Sequence, residues 1–312
     1  MNRPSYGYSA AESEGAGEQP VCPRHPDQVT YVRCQRCDRP VCGQCQRPAA
    51  VGVLCVDCEH QLRQQQRSAQ PRTAMGAPAR SATPYVTYVM MGLCGLGFLL
   101  QQVDAGLVYQ FLVYGPVVSL SQPWTFLTSG FLHGGIMHIA LNMWALWAVG
   151  QYLERTMGHW RYAGVYLVSV IAGHTAVLLF ADPISLAWTT GTVGASGGIF
   201  GLFGSLFVVN RRMGAQATQV LILIGLNLVI TVTVPGISWQ GHLGGLVVGT
   251  AMTAAMFALR PRATPGADRI ALARRASLIH VGVIGGGLLL CLLVIAAKAA
   301  SVPAGYLPLP FA

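Results

Sequence analysis

The chain has 312 residues, of which 53% are apolar and only 10% are charged. Soluble domains carry about 25% charged residues, so the composition excludes a solvated globular enzyme and, equally, a chain disordered over its whole length. The formal net charge of +9 does not indicate nucleic-acid binding, because the basic residues form no run interleaved with aromatic residues. The composition therefore predicts a multi-spanning membrane protein.

The first 60 residues differ in composition from the rest of the chain. Residues 1–20 are rich in Ser, Gly and Glu and predict a disordered N-terminus. Residues 21–60 predict a zinc-binding domain, because they contain four pairs of metal-ligand residues, each separated by two residues: Cys22 and His25, Cys34 and Cys37, Cys42 and Cys45, Cys55 and Cys58. Eight ligands are enough for two structural zinc ions in closed tetrahedral sites.

The sequence indicates the eight ligands directly, but it does not by itself show which of them share a zinc ion. We expect an interleaved arrangement, in which the first and third pairs share one zinc ion and the second and fourth share the other. A disulfide scaffold is the alternative, which a reducing cytoplasm disfavours. Residues 61–83 then predict a flexible linker. Three roles are open for the zinc-binding domain. It could dock a cytoplasmic protein partner, hold the linker or gate activity.

Seven windows without Asp, Glu, Lys or Arg approach the ~20 residues that a spanning helix needs. They are residues 85–103, 134–153, 162–181, 193–210, 217–234, 241–259 and 278–297. Between the first two windows, an apolar segment is broken by Gly115 and Pro116. Because it is too short to span, we expect a loop that is partly submerged in the bilayer.

The basic residues predict the orientation of these spans. If the N-terminus is cytoplasmic, the arginines from Arg63 onward fall on the cytoplasmic side, whereas the outer loops hold Asp104 and Asp182. Cytoplasmic loops accumulate Lys and Arg. We therefore expect a cytoplasmic N-terminus and, after a seventh span, an external C-terminus. The bias toward Arg, Ala and Gly favours a bacterial plasma membrane.

Polar side chains at membrane depth are costly and point to function. The second window holds His138 and Asn142, which share a helix face at a spacing of four residues, with His133 just before it. Ser196 begins the fourth window, and His242 begins the sixth. Singly, Ser196 and His242 read equally well as capping residues. Together they indicate a site.

Glycine spacing explains how Ser196 and His242 would meet. Gly241, Gly245 and Gly249 recur every four residues in the sixth window, and Gly197 and Gly201 do so in the fourth. Small residues at this spacing let two membrane helices approach closely. The imidazole would then accept the hydroxyl proton and activate Ser196 as a nucleophile.

At these residues the chain resembles the rhomboid intramembrane serine proteases, over roughly residues 80–300. The matching positions are Trp124, Thr128, His133, His138, Asn142, Glu154, Gly158, Gly194 to Gly197, Gly241, His242, Gly245 and Gly249. The zinc-binding segment resembles small B-box-like zinc fingers. Two positions depart from the rhomboid pattern: Thr125 follows Trp124 where arginine is common, and Phe200 stands where tyrosine is frequent.

The resemblance implies an all-α polytopic fold, with a six-helix core and one further C-terminal helix. It implies a dyad of Ser196 and His242 that cleaves transmembrane substrates within the lipid bilayer, without a catalytic cofactor. His138, Asn142 and the Ser196 backbone N–H would form the oxyanion hole, supported by His133, Gly194, Phe200 and Gly245. The fifth span would flank a lateral substrate gate.

The predicted domain organisation is residues 84–260 for the six-helix core, 261–277 for a cytoplasmic loop, and 278–312 for the seventh span and tail. An inactive rhomboid-like protein that binds and escorts membrane clients is the alternative function. A transporter or channel with a metal-sensing domain is disfavoured, because no intramembrane carboxylates and no paired broken helices are evident.

Overall fold

The computed structural model describes residues 19–69, 73, 75, 83–262, 268–303 and 306. Residues 1–18 of the predicted disordered N-terminus lie outside the described residues, as do most of 70–82, residues 263–267 and most of the C-terminal tail. The chain divides into an N-terminal unit, Met1–Gln70, and a C-terminal unit, Pro71–Ala312. Each unit is described by itself below.

The N-terminal unit is built from short strands and one helix. Its elements are β1 (Val21–Cys22), β2 (His25–Val29), β3 (Arg47–Pro48), β4 (Val53–Leu54) and α1 (Val56–Ala69). Strands β1 and β2 pair antiparallel, as do β3 and β4. The buried apolar residues of this unit are six cysteines and Val41. So small a core does not normally stabilise a domain without a metal or another crosslink.

Helix α1 extends into the predicted linker. The sequence predicts a flexible linker from residue 61, whereas the helix continues to Ala69. Its first turn carries Asp57 and Glu59, which are favourable near a helix N-terminus. An ion pair between Glu59 and Arg63 at 2.7 Å adds support at a spacing of four residues.

Helices joined by loops make up the C-terminal unit, which has no β-strand among its described residues. Its helices are α2 (Tyr85–Val103), α3 (Ala105–Leu112), α4 (Thr125–Thr128), α5 (Ile136–Met157), α6 (His159–Phe180), α7 (Ser196–Met213), α8 (Thr218–Thr233), α9 (Trp239–Ala258) and α10 (Arg269–Ser301). The fold is an all-α polytopic membrane protein. Each of the seven predicted windows corresponds to one long helix, from α2 and α5 through α10.

The seven helices differ in how well they fit a membrane span. Among the described residues, α2, α6, α9 and α10 are long and apolar enough to cross a membrane. Helices α5 and α7 have sufficient length but carry polar residues, including Asn142 and Arg211. Helix α8 is apolar but has only 16 residues. Helices α5 and α7, which are not apolar enough to meet this criterion, both carry candidate site residues.

Helix α6 lies at the centre of the C-terminal unit, and α10 lies at its periphery. In their most apolar windows, 61% of the α6 residues are buried, against 11% for α10. Helix α10 also begins at Arg269, inside the segment that the sequence predicted as a loop. Asp268 caps it by accepting a hydrogen bond from the Ile270 N–H at 2.7 Å.

Buried Glu154, near the end of α5, joins the start of α2 to the start of α6. Its carboxylate accepts hydrogen bonds from the Val86 and Thr87 N–H groups and from the Thr87 hydroxyl, at 3.0, 2.8 and 2.6 Å. It also contacts His159 Nδ1 at 2.5 Å. Because the first N–H groups of a helix have no partner within it, Glu154 acts as a tertiary cap for α2.

The segment between α2 and α5 is held without the arginine that the rhomboid pattern often places after Trp124. The Trp124 indole donates to the Phe111 carbonyl at 2.7 Å, and the Thr128 hydroxyl donates to the Leu112 carbonyl at 2.8 Å. Leu107, Tyr109 and Phe111 are exposed. This apolar exposure is consistent with the predicted contact of the segment with the bilayer.

Candidate functional site

The eight predicted metal ligands lie in two compact groups in the N-terminal unit. The first ligand group contains Cys22, His25, Cys42 and Cys45, and the second contains Cys34, Cys37, Cys55 and Cys58. Within each group, all ligand atoms lie within 4.8 Å of one another. This is the interleaved arrangement expected from the sequence. His60 belongs to neither group among the described residues.

The spacing of the ligand atoms fits zinc. In a tetrahedron with Zn–S bonds of about 2.3 Å, two sulfur ligands stand about 3.8 Å apart. Cys37 Sγ and Cys55 Sγ are 3.8 Å apart. In the first ligand group, His25 Nδ1 lies 3.3 Å from Cys42 Sγ and 3.4 Å from Cys45 Sγ.

The surroundings of some of the ligand cysteines favour the thiolate, which is the form that binds metal. A backbone hydrogen bond from Cys42 is the main cause that lowers the pKa of Cys22 to about 6. In the second ligand group, the Cys55 N–H donates to Cys34 Sγ at 3.2 Å, and Arg39 Nε donates to Cys37 Sγ at 3.4 Å. Burial acts in the opposite direction on one cysteine of each group, because it raises the pKa of Cys45 to about 11 and that of Cys58 to about 12. Each ligand group therefore combines at least one cysteine that favours the thiolate with one that would lose its proton when a metal ion binds.

In the C-terminal unit, Ser196 is the first residue of α7. The helix dipole and the free N–H groups of the first turn favour negative charge at this position. Gly194 precedes it with φ +136°, in the region that favours glycine. The Gly194 N–H donates to the Ser129 carbonyl at 3.0 Å, which anchors the turn before the helix.

Glycines bring α7 and α9 into backbone contact. A Cβ on Gly245 would lie 1.9 Å from the Gly197 carbonyl oxygen, and a Cβ on Gly249 would lie 2.5 Å from the Gly201 Cα. Only hydrogen fits at such distances. The glycine pattern read from the sequence is therefore the packing face between the helices of Ser196 and His242.

This packing places His242 against the first turns of α7. The His242 ring stacks on Phe200, with ring centroids 4.1 Å apart and planes at 18°. Phe200 follows Ser196 by four residues and so lies one turn away on the same helix. No hydrogen bond joins Ser196 Oγ to His242 among the contacts of the described residues, and the Nδ1 atom of His242 instead lies 2.6 Å from Thr231 Oγ1.

His138 lies beside Ser196, on the other side of Gly194. A Cβ on Gly194 would be 2.9 Å from His138 Nε2 and 3.4 Å from Ser196 Oγ, so one small group would touch both atoms. His138 Nδ1 accepts a hydrogen bond from the Gly134 N–H at 3.2 Å. An acceptor at Nδ1 leaves the ring hydrogen on Nε2, which makes Nε2 a donor toward this space.

Asn142 is buried one turn further along α5. Its amide nitrogen donates to the His138 carbonyl at 2.9 Å. An amide nitrogen carries two hydrogens, so the second is still available to another acceptor. The geometry thus gives His138 and Asn142 the donor capacity that the sequence predicted for an oxyanion hole.

His133 is 1% exposed, and its ring contacts His138 edge-on at a centroid distance of 5.1 Å. Neither of its ring nitrogens has a hydrogen-bond partner within the described part of the chain. Its backbone is clamped by Gln101, whose amide accepts from the His133 N–H at 3.0 Å and donates to the His133 carbonyl at 3.1 Å. His133 therefore braces the loop and contacts the ring of His138.

Sequence reasoning missed several partners of these residues. Gln101 and Thr231 stood in apolar windows with no local signal of a role. The Nδ1 atom of His280 accepts a hydrogen bond from buried Arg161 at 2.7 Å. The Nδ1 atom of His174 lies 2.8 Å from the Phe126 carbonyl oxygen. The partners of His174 and His280 lie on other elements, so sequence spacing does not reveal them.

Comparison with known proteins gives a family match for part of the C-terminal unit. Residues 120–259 match the sequence profile of the Rhomboid domain. The chain carries a rhomboid domain. This domain contains α4 to α9 and all the predicted site residues of the C-terminal unit, whereas α2 and α10 lie outside the match.

Proteins with a similar sequence include two named as proteases. The chain is 33% identical over 198 residues to the rhomboid protease GluP of Bacillus subtilis (strain 168), covering 60% of this chain. It is 31% identical over 170 residues to rhomboid-type serine protease 2 of Emericella nidulans, covering 52% of this chain. RHOMBOID-like protein 7 of Arabidopsis thaliana is 33% identical over 146 residues, covering 44% of this chain. These matches span 38%, 31% and 44% of the relatives' own lengths.

Proposed function

We propose that the protein is an intramembrane serine endopeptidase whose rhomboid domain uses Ser196 and His242 as a catalytic dyad. The observation that carries this proposal is the stack of His242 on Phe200, one helical turn from Ser196. The stack places His242, the only histidine of α9, next to the end of α7 at which Ser196 lies. Rhomboid relatives that are named as proteases support the same activity.

The proposed reaction begins when Ser196 Oγ attacks the carbonyl carbon of a peptide bond and its proton passes to His242 Nε2. Catalytic hydrogen bonds are often long in the free enzyme and tighten with substrate bound, so a direct contact between Ser196 and His242 is expected only in the complex. His242 then returns the proton to the leaving amine, and water hydrolyses the acyl-enzyme by the same route.

The tetrahedral intermediate carries negative charge on the former carbonyl oxygen, and we assign three donors to it. They are the Ser196 backbone N–H, His138 Nε2 and the second amide hydrogen of Asn142. Donors fixed in advance in a low-dielectric site stabilise such an oxyanion strongly. The substrates we propose are transmembrane segments of other proteins, which reach the site through the surrounding lipid.

Replacing the nucleophile tests the proposal. The purified protein is reconstituted with a single-span substrate, and cleavage is compared between wild type, Ser196→Ala and Ser205→Ala. We expect Ser196→Ala to lower the rate by at least about a thousandfold, whereas Ser205, further along α7 and bonded to the Gly201 carbonyl, serves as the matched control. Equal cleavage by wild type and Ser196→Ala would reject the dyad.

The missing Ser196–His242 hydrogen bond is the one observation that favours an inactive protein that binds membrane clients. A serine-directed phosphonate probe separates the two functions, because it reacts only with an activated hydroxyl. Labelling that disappears in Ser196→Ala supports the protease. A protein that captures the single-span substrate without cleaving it or reacting with the probe would instead be an escort protein.

We also propose that each ligand group of the N-terminal unit holds one structural zinc ion. The 3.8 Å spacing of two sulfur atoms in the second ligand group supports this proposal. So does the first ligand group, in which three sulfur atoms and one imidazole nitrogen lie close together. When bound, zinc supplies crosslinks that the small apolar core lacks. A cytoplasmic protein partner of this unit stays a prediction, which crosslinking from the unit in intact cells would test.

The proposed location is a plasma membrane, with the N-terminal unit in the cytoplasm and the C-terminus outside. The distribution of arginines in the sequence supports this orientation. Reporter fusions at each terminus would measure it. An N-terminal reporter that is active only outside the cell would contradict the assignment.

A further inference from the structure

Thr231 connects α8 to the candidate base. The residue is 3% exposed, and its Oγ1 atom lies 2.6 Å from His242 Nδ1 and 2.8 Å from the Asn227 carbonyl oxygen. Among the described residues, it is the only side chain that hydrogen-bonds to His242. A single hydroxyl therefore lies between a helix carbonyl and the imidazole.

The two contacts determine where the protons lie. A threonine hydroxyl has one hydrogen to donate, whereas a carbonyl oxygen can only accept. The hydroxyl hydrogen must point to the Asn227 carbonyl, because two oxygen lone pairs 2.8 Å apart would otherwise repel. The hydroxyl then accepts a hydrogen from His242 Nδ1. In a neutral imidazole with its hydrogen on Nδ1, the Nε2 atom carries the lone pair.

The stack on Phe200 cannot by itself fix this state. Stacking restrains the plane of the His242 ring, but a half-turn about the Cβ–Cγ bond keeps that plane and exchanges the positions of the ring nitrogen and carbon atoms. The hydrogen bond to Thr231 distinguishes the two orientations. Catalytic triads achieve the same selection with a carboxylate, which no described residue supplies to His242.

We propose that Thr231 is a positioning residue that holds His242 in the Nδ1-protonated tautomer, with Nε2 free to accept the proton of Ser196. The inference rests on the proposed protease function. The contact joins α8 to α9 and forms only while these helices pack together. The orientation of the base thus depends on a helix that contains neither member of the dyad.

Three variants test the role of Thr231. Thr231→Val keeps the shape of the side chain but removes the hydroxyl, and Thr231→Ser keeps the hydroxyl. Thr175→Val is the matched control, since Thr175 is also buried and its hydroxyl donates to the Ile171 carbonyl at 2.8 Å. We expect Thr231→Val to lower kcat about tenfold, the worth of one buried hydrogen bond, with KM nearly unchanged. Thr231→Ser should restore most of the rate, and Thr175→Val should match wild type.

A second measurement reads the tautomer without relying on activity. In protein with ¹⁵N-labelled histidine, NMR distinguishes a protonated ring nitrogen from one with a lone pair, and the His242 signals are assigned by their loss in His242→Ala. We expect a protonated Nδ1 in wild type and Thr231→Ser, and a mixture of tautomers in Thr231→Val.

The outcomes separate the two proposals. A wild-type protein with no cleavage above Ser196→Ala rejects the protease, while the NMR experiment still tests Thr231. Unchanged kcat in an active Thr231→Val variant, or an unchanged His242 tautomer in that variant, overturns the positioning role. A parallel loss of kcat in Thr175→Val would also overturn it, because the effect would then reflect packing.

Discussion

Gly194, two residues before Ser196, shows why only glycine is accommodated at one position of the candidate site. Its φ of +136° is rarely adopted by residues with a side chain, and a Cβ there would contact His138 at 2.9 Å. Two independent constraints, backbone conformation and space, therefore require glycine between the proposed nucleophile and a proposed oxyanion donor.

Replacing this glycine should affect chemistry directly. Gly194→Ala would introduce backbone strain of about 1–3 kcal/mol and displace His138, so we expect the cleavage rate to fall at least about tenfold. The measurement is cleavage together with thermal unfolding in detergent. Gly115→Ala is the control, because Gly115 is a loop glycine with φ −145° where a Cβ would lie 3.6 Å from the Thr190 carbonyl oxygen, an ordinary van der Waals contact. Equal rates for the two variants would contradict the prediction.

At the scale of elements, the contact between α7 and α9 determines whether the residues of the candidate site come close to one another. Gly245 faces the backbone of Gly197, so a larger residue cannot be accommodated by turning a side chain. Interiors of proteins are close-packed and tolerate added volume poorly. The same glycines that allow the helices to touch thus place Ser196, Phe200 and His242 together.

Adding one methyl group at this contact should separate the helices. For Gly245→Ala, a Cβ would lie 1.9 Å from the Gly197 oxygen, and we expect the free energy of unfolding to fall by about 3 kcal/mol, at the upper end of typical overpacking costs. Thermal or denaturant unfolding in detergent measures this. Gly285→Ala in α10, where a Cβ would meet nothing within 4 Å, should not lower the free energy of unfolding, because alanine is the better helix former. A stable Gly245→Ala variant would show that the helices are not locked by this contact.

At the scale of the whole molecule, two units obtain stability from different sources. The C-terminal unit has an extensive apolar core across its helices. The N-terminal unit buries few apolar residues other than cysteines, so we expect its stability to depend on the proposed zinc ions.

Metal content tests this dependence. We expect about two zinc ions per chain, falling to about one in Cys34→Ser, as measured by elemental analysis of freshly purified protein. Cys94→Ser and Cys291→Ser are controls, since both cysteines lie in long helices of the C-terminal unit, and they should retain about two ions per chain. Wild-type protein without zinc would rule out the metal sites.

Local patterns in the sequence by themselves determined several features of the fold of this protein. The apolar windows predicted the long helices, the two-residue spacing predicted the ligand groups, and the glycine repeats predicted the contact of α7 with α9. These features were accessible because each depends on residues close in sequence and on a fixed helical or turn geometry. The assignment of Ser196, His242, His138 and Asn142 as site residues stays a prediction, since its test is chemical.

Only the tertiary structure decided which groups hydrogen-bond to the histidines of the C-terminal unit, including those of the candidate site. Thr231 contacts His242 from another helix, Gln101 clamps the backbone of His133, and Arg161 meets His280 across 119 positions of sequence. Such partners have no periodic signature, because a hydrogen bond between helices depends on their relative rotation and depth. Those quantities are set by packing of the whole domain, which no local stretch of sequence encodes.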